Sequence, residues 1–396
     1  MAERLIYLDN AATTKIHPAV LEEMLPYFDE YYGNPSSIYS LGAKSKMAVM
    51  EARERIANSL GALTEEIYFT AGGTEADNWA ILGVAEAYKN KGKHIITTNM
   101  EHHAVLHTCT YLEKQGFEVT YIGVDAAGVV DVVALEAAIR PDTILVSVMY
   151  ANNEIGTMQP IAEIGRITRE KGVLFHTDAV QAYCQTPIDV NALGIDLLSA
   201  SAHKIKGPKG IGFLYIRRGL KIRSFIHGGA QERKRRAGTE NVPGIVGFGK
   251  AVSLAQDFME ARTADEIQKR DYLIKGILEK IPHSKLNGHI SERLPNNVNI
   301  SFQFIEGEGM LMLLDMAGIC ASSGSACTSG SLDPSHVLLA IGLPHEIAHG
   351  SLRLTLDEEI TYEELDYTIE TLASVVARLR DMSPLYEDFV KKNATV

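Results

Sequence analysis

The stretch Ser199-Ala-Ser-Ala-His-Lys-Ile-Lys-Gly-Pro-Lys-Gly210 has a lysine, Lys204, at its centre. An apolar run that ends in Asp196-Leu-Leu precedes it and predicts a strand. A Gly/Pro-rich turn follows and leads into a second apolar run, 211–216, which predicts another strand. The sequence therefore predicts a lysine fixed where a strand ends, beside a histidine and two small residues.

Such a lysine has two interpretations. Its amine can form a Schiff base with an aldehyde, which is how pyridoxal phosphate (PLP) is held before it acts as an electron sink. Most lysines are instead solvated surface residues. This stretch alone leaves both open, and the other strand ends must decide between them.

Length and charge exclude several classes of protein. A chain of 396 residues can bury a large core and predicts two domains. The net charge of −12 argues against a nucleic-acid partner, and no run approaches the roughly 20 apolar residues of a membrane span. The strand predicted at 5–8 leaves no room for a signal peptide, and the 4 cysteines do not make a disulfide scaffold. We therefore expect a cytoplasmic protein of enzyme size with no membrane contact.

Strand and helix patterns alternate through the first part of the chain, which predicts an α/β fold with a mostly parallel sheet covered by helices on both faces. Past Pro243, longer helices surround a few strands and predict a smaller α+β domain. Helices are expected at 17–32 and from 243 to about 281, the latter interrupted near Thr263. Besides the two strands around Lys204, the first part has candidate strands at 67–70, 94–98, 118–122, 143–148 and 173–177.

Open α/β sheets bind ligands at the carboxyl ends of their strands. Gly72-Gly-Thr74 follows the first candidate strand and opens a helix, so its N–H groups and the Thr74 hydroxyl could cradle a phosphate, although such a turn is also a common helix cap. Glu101-His-His-Ala104 follows the next strand. An imidazole there could stack on a flat ring or move protons, or merely cap a helix, and the two adjacent histidines leave the choice open.

Two further strand ends carry polar residues. In Tyr150-Ala-Asn-Asn-Glu154 an asparagine amide could donate to a phenolic oxygen, although Asn-Asn commonly forms a turn. In Asp178-Ala-Val-Gln181 the Asp178 carboxylate could pair with a pyridinium nitrogen and strengthen an electron sink. Each of these motifs alone could be structural, but their agreement with Lys204 favours a bound cofactor.

One cysteine is the candidate nucleophile. Residues 321–330 are mostly small and contain Cys327; loops of this composition are exposed, and an exposed thiol can react. Cys109, Cys184 and Cys320 are predicted to be core or bystander thiols. A Cys/His metal site would need tighter ligand spacing than this chain shows.

Together these motifs are specific. With Ser-Ala-His-Lys at 201–204, Asp-Ala-Val-Gln at 178–181 and Ser-Ser-Gly-Ser-Ala-Cys at 322–327, the chain resembles the cysteine desulfurases of the NifS/IscS branch, within the class V aminotransferases of fold-type I PLP enzymes. Matching motifs extend from residue 7 to residue 355. The stretch 327–331 resembles the nitrogen-fixation-type subgroup.

The resemblance implies how the chain is divided. A large PLP-binding domain with a seven-stranded sheet would span 15–255. A small domain would comprise 1–14 and 256–396 and carry the active-site cysteine loop at about 321–333. One departure from the family is Ala230, where the family often has another residue; it bears little on the chemistry.

The resemblance also assigns roles to residues. Lys204 would hold PLP and move the substrate's α-proton, His102 would stack on the ring, and Asp178 would pair with the ring nitrogen. Asn153 and Gln181 would contact the phenolic oxygen side. The phosphate would be held by Gly73, Thr74, Ser201 and His203, with Thr239 reaching the phosphate of the other subunit of a homodimer. The substrate carboxylate would bind Arg353 and Asn34, with Asn153 nearby.

The implied reaction converts L-cysteine to L-alanine and leaves the sulfur as a persulfide on Cys327, for transfer to an iron–sulfur scaffold or another sulfur acceptor. Cys327 could also bridge an iron–sulfur cluster to such a partner. The sequence leaves alternatives open: a selenocysteine lyase, a plain aminotransferase, or a scaffold protein without PLP. The basic run 233–236 is expected near the mouth of the active site rather than on nucleic acid.

Overall fold

The computed structural model describes residues 5–323 and 334–393. The strands are β1 (Ile6–Tyr7), β2 (Ile67–Thr70), β3 (His94–Thr98), β4 (Glu118–Ile122), β5 (Thr143–Ser147), β6 (Leu174–Asp178), β7 (Leu197–Ser201), β8 (Gly212–Ile216), β9 (Ser284–Leu286), β10 (Asn297–Phe302), β11 (Ile319–Cys320) and β12 (Ser351–Thr355). The helices are α1 (Pro18–Met24), α2 (Pro26–Asp29), α3 (Ser40–Ser59), α4 (Gly73–Tyr88), α5 (His103–Lys114), α6 (Val132–Ala138), α7 (Ile161–Lys171), α8 (Gln231–Lys234), α9 (Val242–Asp257), α10 (Met259–Lys280), α11 (Gly307–Met316), α12 (His336–Ala340), α13 (His345–His349), α14 (Tyr362–Asp381) and α15 (Pro384–Asn393).

A seven-stranded sheet with the order β2-β8-β7-β6-β5-β3-β4 forms the centre of the fold. Only β8 runs antiparallel to its neighbours in this sheet. Successive side chains of a strand point to opposite faces, and accordingly Ile95 and Ile96 of β3 lie in different apolar clusters. Helices cover both faces, so the predicted α/β class and the mostly parallel sheet are confirmed.

This topology gathers the predicted polar residues. The strands β2, β3, β5, β6 and β7 run in one direction, so their carboxyl ends lie along one edge of the sheet. The amino end of α4, the turn before α5, the turn after β5, and Asp178 all follow from those ends. The sheet edge is therefore the place to look for a binding site.

The second part of the chain has its own core. The antiparallel sheet β12-β10-β9 and the parallel pair β1–β11 pack with α10, α11 and α14. Ile6 and Leu8 at the start of the chain lie in this cluster beside Phe302 and Leu372. The domain boundaries at 14/15 and 255/256 stay a prediction. Within the described residues, no helix has the length and apolar character needed to cross a membrane.

Three predicted boundaries were wrong. The helix expected at 17–32 is broken after Met24, and α2 begins at Pro26, whose ring cannot continue a helix from the preceding turn. The long helical stretch is interrupted at Phe258 and not near Thr263. The strand before Lys204 extends through Ser201, because its small residues are buried inside the sheet.

Candidate active site

Lys204 ends a short 3-10 turn, Ala202–Lys204, directly after β7. Its Nζ donates hydrogen bonds to the carbonyl oxygens of Ala11 and Ala12, at 2.5 and 2.8 Å. The Ala11 oxygen also accepts from Gln181 Nε2 at 3.0 Å, so Gln181 and Lys204 meet at one carbonyl. The amine is held at the sheet edge by the loop after β1, which argues against an ordinary solvated lysine.

Asp178 closes β6 and is only 6% exposed. Its Oδ1 accepts a hydrogen bond from the Val180 N–H at 2.9 Å. Burial raises the pKa of Asp178 to about 6, and the Val180 amide and the nearby Lys204 cation oppose that rise. A further cation beside this carboxylate would favour its charged form. Asp178 is therefore suited to a pyridinium nitrogen.

A buried polar network adjoins Asp178, and the sequence did not reveal it. The imidazole of His176 on β6 lies between Ser147 Oγ at 2.8 Å and Ser199 Oγ at 3.0 Å, and Asp77 Oδ1 lies 3.6 Å from its Nε2. Burial lowers the pKa of His176 to about 3, so this ring is neutral. Burial and the neighbouring Asp178 raise the pKa of Asp77 well above its usual range. The only sequence signal was polar residues inside an otherwise apolar strand and helix.

The two adjacent histidines have different surroundings. His102 is the N-cap of α5, and its Nδ1 accepts from the Ala104 N–H at 3.1 Å. Burial, aided by the Lys204 charge, lowers the pKa of His102 to about 4, so the ring is neutral with its proton on Nε2. The ring of His103 packs instead against His336, with centroids 4.8 Å apart. The stacking role of His102 stays a prediction, and these contacts favour it over His103.

The glycine turn before α4 forms a cradle. Gly72 has a φ of 155°, which L side chains rarely adopt, and it supplies no side-chain cap to the helix. A Cβ on Gly73 would lie 2.5 Å from Val180 Cγ2. A cavity of about 680 Å³ opens here, and its walls include Thr13, Gly72, Gly73, Thr74, Ser201 and His203.

These residues fit pyridoxal phosphate. The uncapped first turn of α4 presents helix N–H groups and the positive end of the helix dipole, which suit a phosphate. Lys204 offers an amine for the aldehyde, and Asp178 offers a buried carboxylate for the ring nitrogen. The four residues predicted to hold the phosphate (Gly73, Thr74, Ser201 and His203) line the same cavity.

Arg353 lies where the turn after β5 meets the second part of the chain. Its side chain is 4% exposed; Nη2 pairs with Asp9 Oδ1 at 2.8 Å, and Nη1 donates to the Asn153 carbonyl at 3.1 Å. Among the described residues its Nε has no hydrogen-bond partner. That nitrogen is itself buried, so the predicted binding of the substrate carboxylate by Arg353 stays a prediction. Asn34 is exposed and its Oδ1 accepts from the Ser36 N–H at 2.9 Å, so its role in substrate binding stays a prediction.

The three described cysteines are those predicted to be core or bystander thiols. Cys109 and Cys184 are buried, which raises the pKa of each thiol to about 12. Cys320 is partly exposed, and burial still raises its pKa. Cys327, the predicted nucleophile and iron–sulfur ligand, lies outside the described residues. In the described ranges no group of His, Cys, Asp and Glu side chains is placed to hold a metal ion.

The arginines of the basic run 233–236 contact other residues of the chain. The Arg233 guanidinium lies 4.1 Å from the centre of the Tyr68 ring. Arg236 Nε lies 2.9 Å from Oε1 of Glu75, which lines the cavity at the start of α4. Thr239 nearby is exposed, and it is absent from the described walls of that cavity. Its predicted contact with another subunit's phosphate is untested.

Comparisons with known proteins agree with this geometry. Residues 6–368 match the family described as Aminotransferase class-V. A cysteine desulfurase IscS of Methanosarcina thermophila is 59% identical over 382 residues, covering 96% of this chain and 94% of that protein. One of Clostridium botulinum is 58% identical over 388 residues, covering 98% of both chains.

Solved structures give the same result. A NifS-like protein superposes with a TM-score of 0.89 at 40% identity, covering 95% of this chain and all 100% of the other. The structure of SspA in complex with cysteine superposes with a TM-score of 0.81 at 38% identity, covering 90% of this chain and 100% of that one. The chain belongs to the class V aminotransferase family and, within it, to the cysteine desulfurases.

Proposed function

We propose that the protein uses pyridoxal phosphate to convert L-cysteine to L-alanine and passes the sulfur to Cys327. One observation carries the proposal: Lys204, Asp178, His102 and the uncapped glycine turn converge at a single edge of the sheet. This cofactor needs four groups from a protein: an amine, a carboxylate for the ring nitrogen, a neutral ring to stack on, and a cradle for the phosphate.

The cofactor, when bound, supplies an aldehyde for amines and a protonated ring that withdraws electrons from the substrate's Cα. Lys204 removes the proton from Cα and returns a proton later; the carbonyls of Ala11 and Ala12 hold its amine when it is at rest. Asp178 would hold a negative charge beside the ring nitrogen. His102, neutral because its pKa is about 4, would pack on the ring without bringing a second buried cation.

Arg353 binds and orients the substrate. Its guanidinium donates to the carboxylate of L-cysteine, while Asp9 and the Asn153 carbonyl keep the guanidinium in place. The structural neighbour SspA was solved in complex with cysteine, which supports an amino acid of this kind as the substrate here.

The sulfur step uses Cys327. Its thiolate attacks the substrate sulfur, so that a new S–S bond forms while the substrate's Cβ–S bond breaks and its electron pair stays on carbon. Protonation completes the methyl group of alanine. Overall, L-cysteine and the Cys327 thiol give L-alanine and a Cys327 persulfide, whose terminal sulfur an acceptor thiol removes. We propose an iron–sulfur scaffold as the acceptor, with Cys327 able to bridge a cluster to it.

A homodimer would complete the site. Thr239 is exposed and is proposed to reach the phosphate of the partner subunit. Large exposed apolar side chains also concentrate between α1 and α3, which is typical of a surface that another chain covers. They are Leu21, Leu25, Phe28, Tyr32, Ile38, Tyr39, Met47 and Met50.

The test measures alanine and sulfide formed from L-cysteine in the presence of a thiol reductant. Cys327→Ala should keep the visible absorbance of the bound cofactor and form no sulfide. The matched control Cys320→Ala should keep the absorbance and still form sulfide. Lys204→Ala should lose the absorbance of the lysine-bound cofactor and the activity. Sulfide formation by Cys327→Ala would contradict the assignment of the nucleophile.

A further inference from the structure

Glu154 is a buried carboxylate that the proposed mechanism does not use. It follows Asn153 in the turn after β5 and is 5% exposed. Its Oε2 accepts a hydrogen bond from Ser335 Oγ. Ser335 is the N-cap of α12 and the second described residue after position 333. One side chain thus connects the sheet edge to the first helix after the cysteine stretch.

The chemistry of Ser335 fixes the direction of this hydrogen bond. Its Oγ already accepts from the N–H groups of Val337 and Leu338, at 3.1 and 3.3 Å. A hydroxyl has one hydrogen, and here that hydrogen points to Glu154, which must accept it. Removing the carboxylate would leave a buried hydroxyl without an acceptor and weaken the cap of α12.

The backbone of Glu154 makes a second connection. Its carbonyl accepts from Asn297 Nδ2 at 3.3 Å and from Asn299 Nδ2 at 3.1 Å, both on β10. Asn299 is the register partner of Arg353 on β12, and Arg353 donates to the carbonyl of Asn153. Glu154 therefore joins α12, the turn after β5, and the strand pair that carries the substrate's arginine.

We propose that Glu154 is a positioning residue for substrate binding: its carboxylate fastens α12 to the turn after β5, and this keeps Arg353 aligned with the sheet edge. Glu154 touches neither substrate nor cofactor in this scheme and acts through Ser335 and the Asn153–Arg353 contact. The inference rests on the proposed function, because it assigns Arg353 to the substrate carboxylate.

Two substitutions at Glu154 separate its roles. Glu154→Gln keeps an oxygen that can accept from Ser335, whereas Glu154→Ala keeps none. In the holoenzyme, Glu154→Ala should raise KM for L-cysteine about tenfold, as expected when a buried donor loses its acceptor, with cofactor content unchanged. Glu154→Gln should recover most of that loss. The matched control Thr361→Ala removes a comparable N-cap, on α14, and should leave KM unchanged.

Amide hydrogen exchange supplies a readout that does not depend on turnover. The N–H groups of Val337 and Leu338 should exchange about tenfold faster in Glu154→Ala than in the wild type or Glu154→Gln. The positioning role would be overturned if Glu154→Ala left either the exchange rates or KM unchanged. It would also be overturned if Thr361→Ala raised KM as much as Glu154→Ala does. A wild-type protein that forms no alanine from cysteine would refute the proposed function instead, and the exchange experiment would still decide whether Glu154 fastens α12.

Discussion

Replacing Glu232 by glutamine should leave the Arg53 guanidinium buried without its counter-charge. The two side chains form a bidentate pair, with Nη1–Oε2 and Nη2–Oε1 distances of 2.7 and 2.6 Å. They are only 8% and 7% exposed, and Glu232 also accepts from the Phe69 N–H at 3.0 Å. This ion pair holds the segment that leads to Thr239. Its loss should lower the free energy of unfolding and weaken the proposed contact between subunits.

The magnitude follows from burial. Removing one member of a buried ion pair typically costs about 3–5 kcal/mol. Glutamine retains one oxygen, and Arg53 keeps its 2.7 Å hydrogen bond to the Ile67 carbonyl, so the lower end applies. With an unfolding entropy of about 2.1 cal/mol/K per residue over 396 residues, a loss of about 3 kcal/mol corresponds to a fall in Tm of roughly 4 °C. Thermal unfolding followed by circular dichroism measures it, at equal protein concentration and cofactor content, since both shift Tm.

A double variant provides the control. Arg53→Met combined with Glu232→Leu removes both charges, so no uncompensated ion remains, and it should lose less stability than the two single changes added together. A Tm for Glu232→Gln within about 1 °C of the wild type would refute the reasoning. Strictly additive losses in the double variant would also refute it.

Three further predictions concern single positions. Lys234 has a φ of 67°, so Lys234→Gly should relieve backbone strain and raise the free energy of unfolding by about 1 kcal/mol, measured by chemical denaturation. As a control, Lys46→Gly on the exposed face of α3 should lower it by a similar amount. Burial raises the pKa of Glu101 from 4.5 to about 8, so the folded state favours the neutral carboxyl and stability falls as pH rises from about 4.5 to 8. Glu101→Gln should therefore raise Tm more at pH 9 than at pH 5. An equal gain in Tm at both pH values would contradict this. Gly73→Ala should weaken cofactor binding in a fluorescence titration because its Cβ would meet Val180, and adding Val180→Ala should restore affinity; no recovery would contradict the steric cause.

The parallel strands were predictable because burial on both faces leaves a clear apolar run. The predicted bounds of β2, β3 and β4 coincide with the observed ones. The strand before Lys204 was misjudged because Ser199-Ala-Ser201 is small and polar, as in a loop, whereas in the fold these residues are buried in the sheet. Burial of small polar residues depends on neighbouring strands, which a local pattern does not contain.

The site was predictable where polar residues end strands, and less so where tertiary contacts decide. The residue pattern placed Lys204 and Asp178 at strand ends, but only the family resemblance chose His102 over His103. The surroundings of the two rings come from other segments, which a local pattern does not contain. The rest position of the Lys204 amine depends on carbonyls of Ala11 and Ala12, more than 190 positions earlier. Backbone acceptors carry no side-chain signal, so no pattern could have identified them.

The covalent attachment of pyridoxal phosphate to Lys204 is the claim on which the account depends most. Borohydride reduction of the yellow holoprotein followed by peptide mass spectrometry tests it directly. The account predicts a pyridoxyl-phosphate mass on the peptide's Lys204 and on no other lysine. A modification at Lys206 or Lys209 instead, or an unmodified protein after reconstitution with the cofactor, would contradict it.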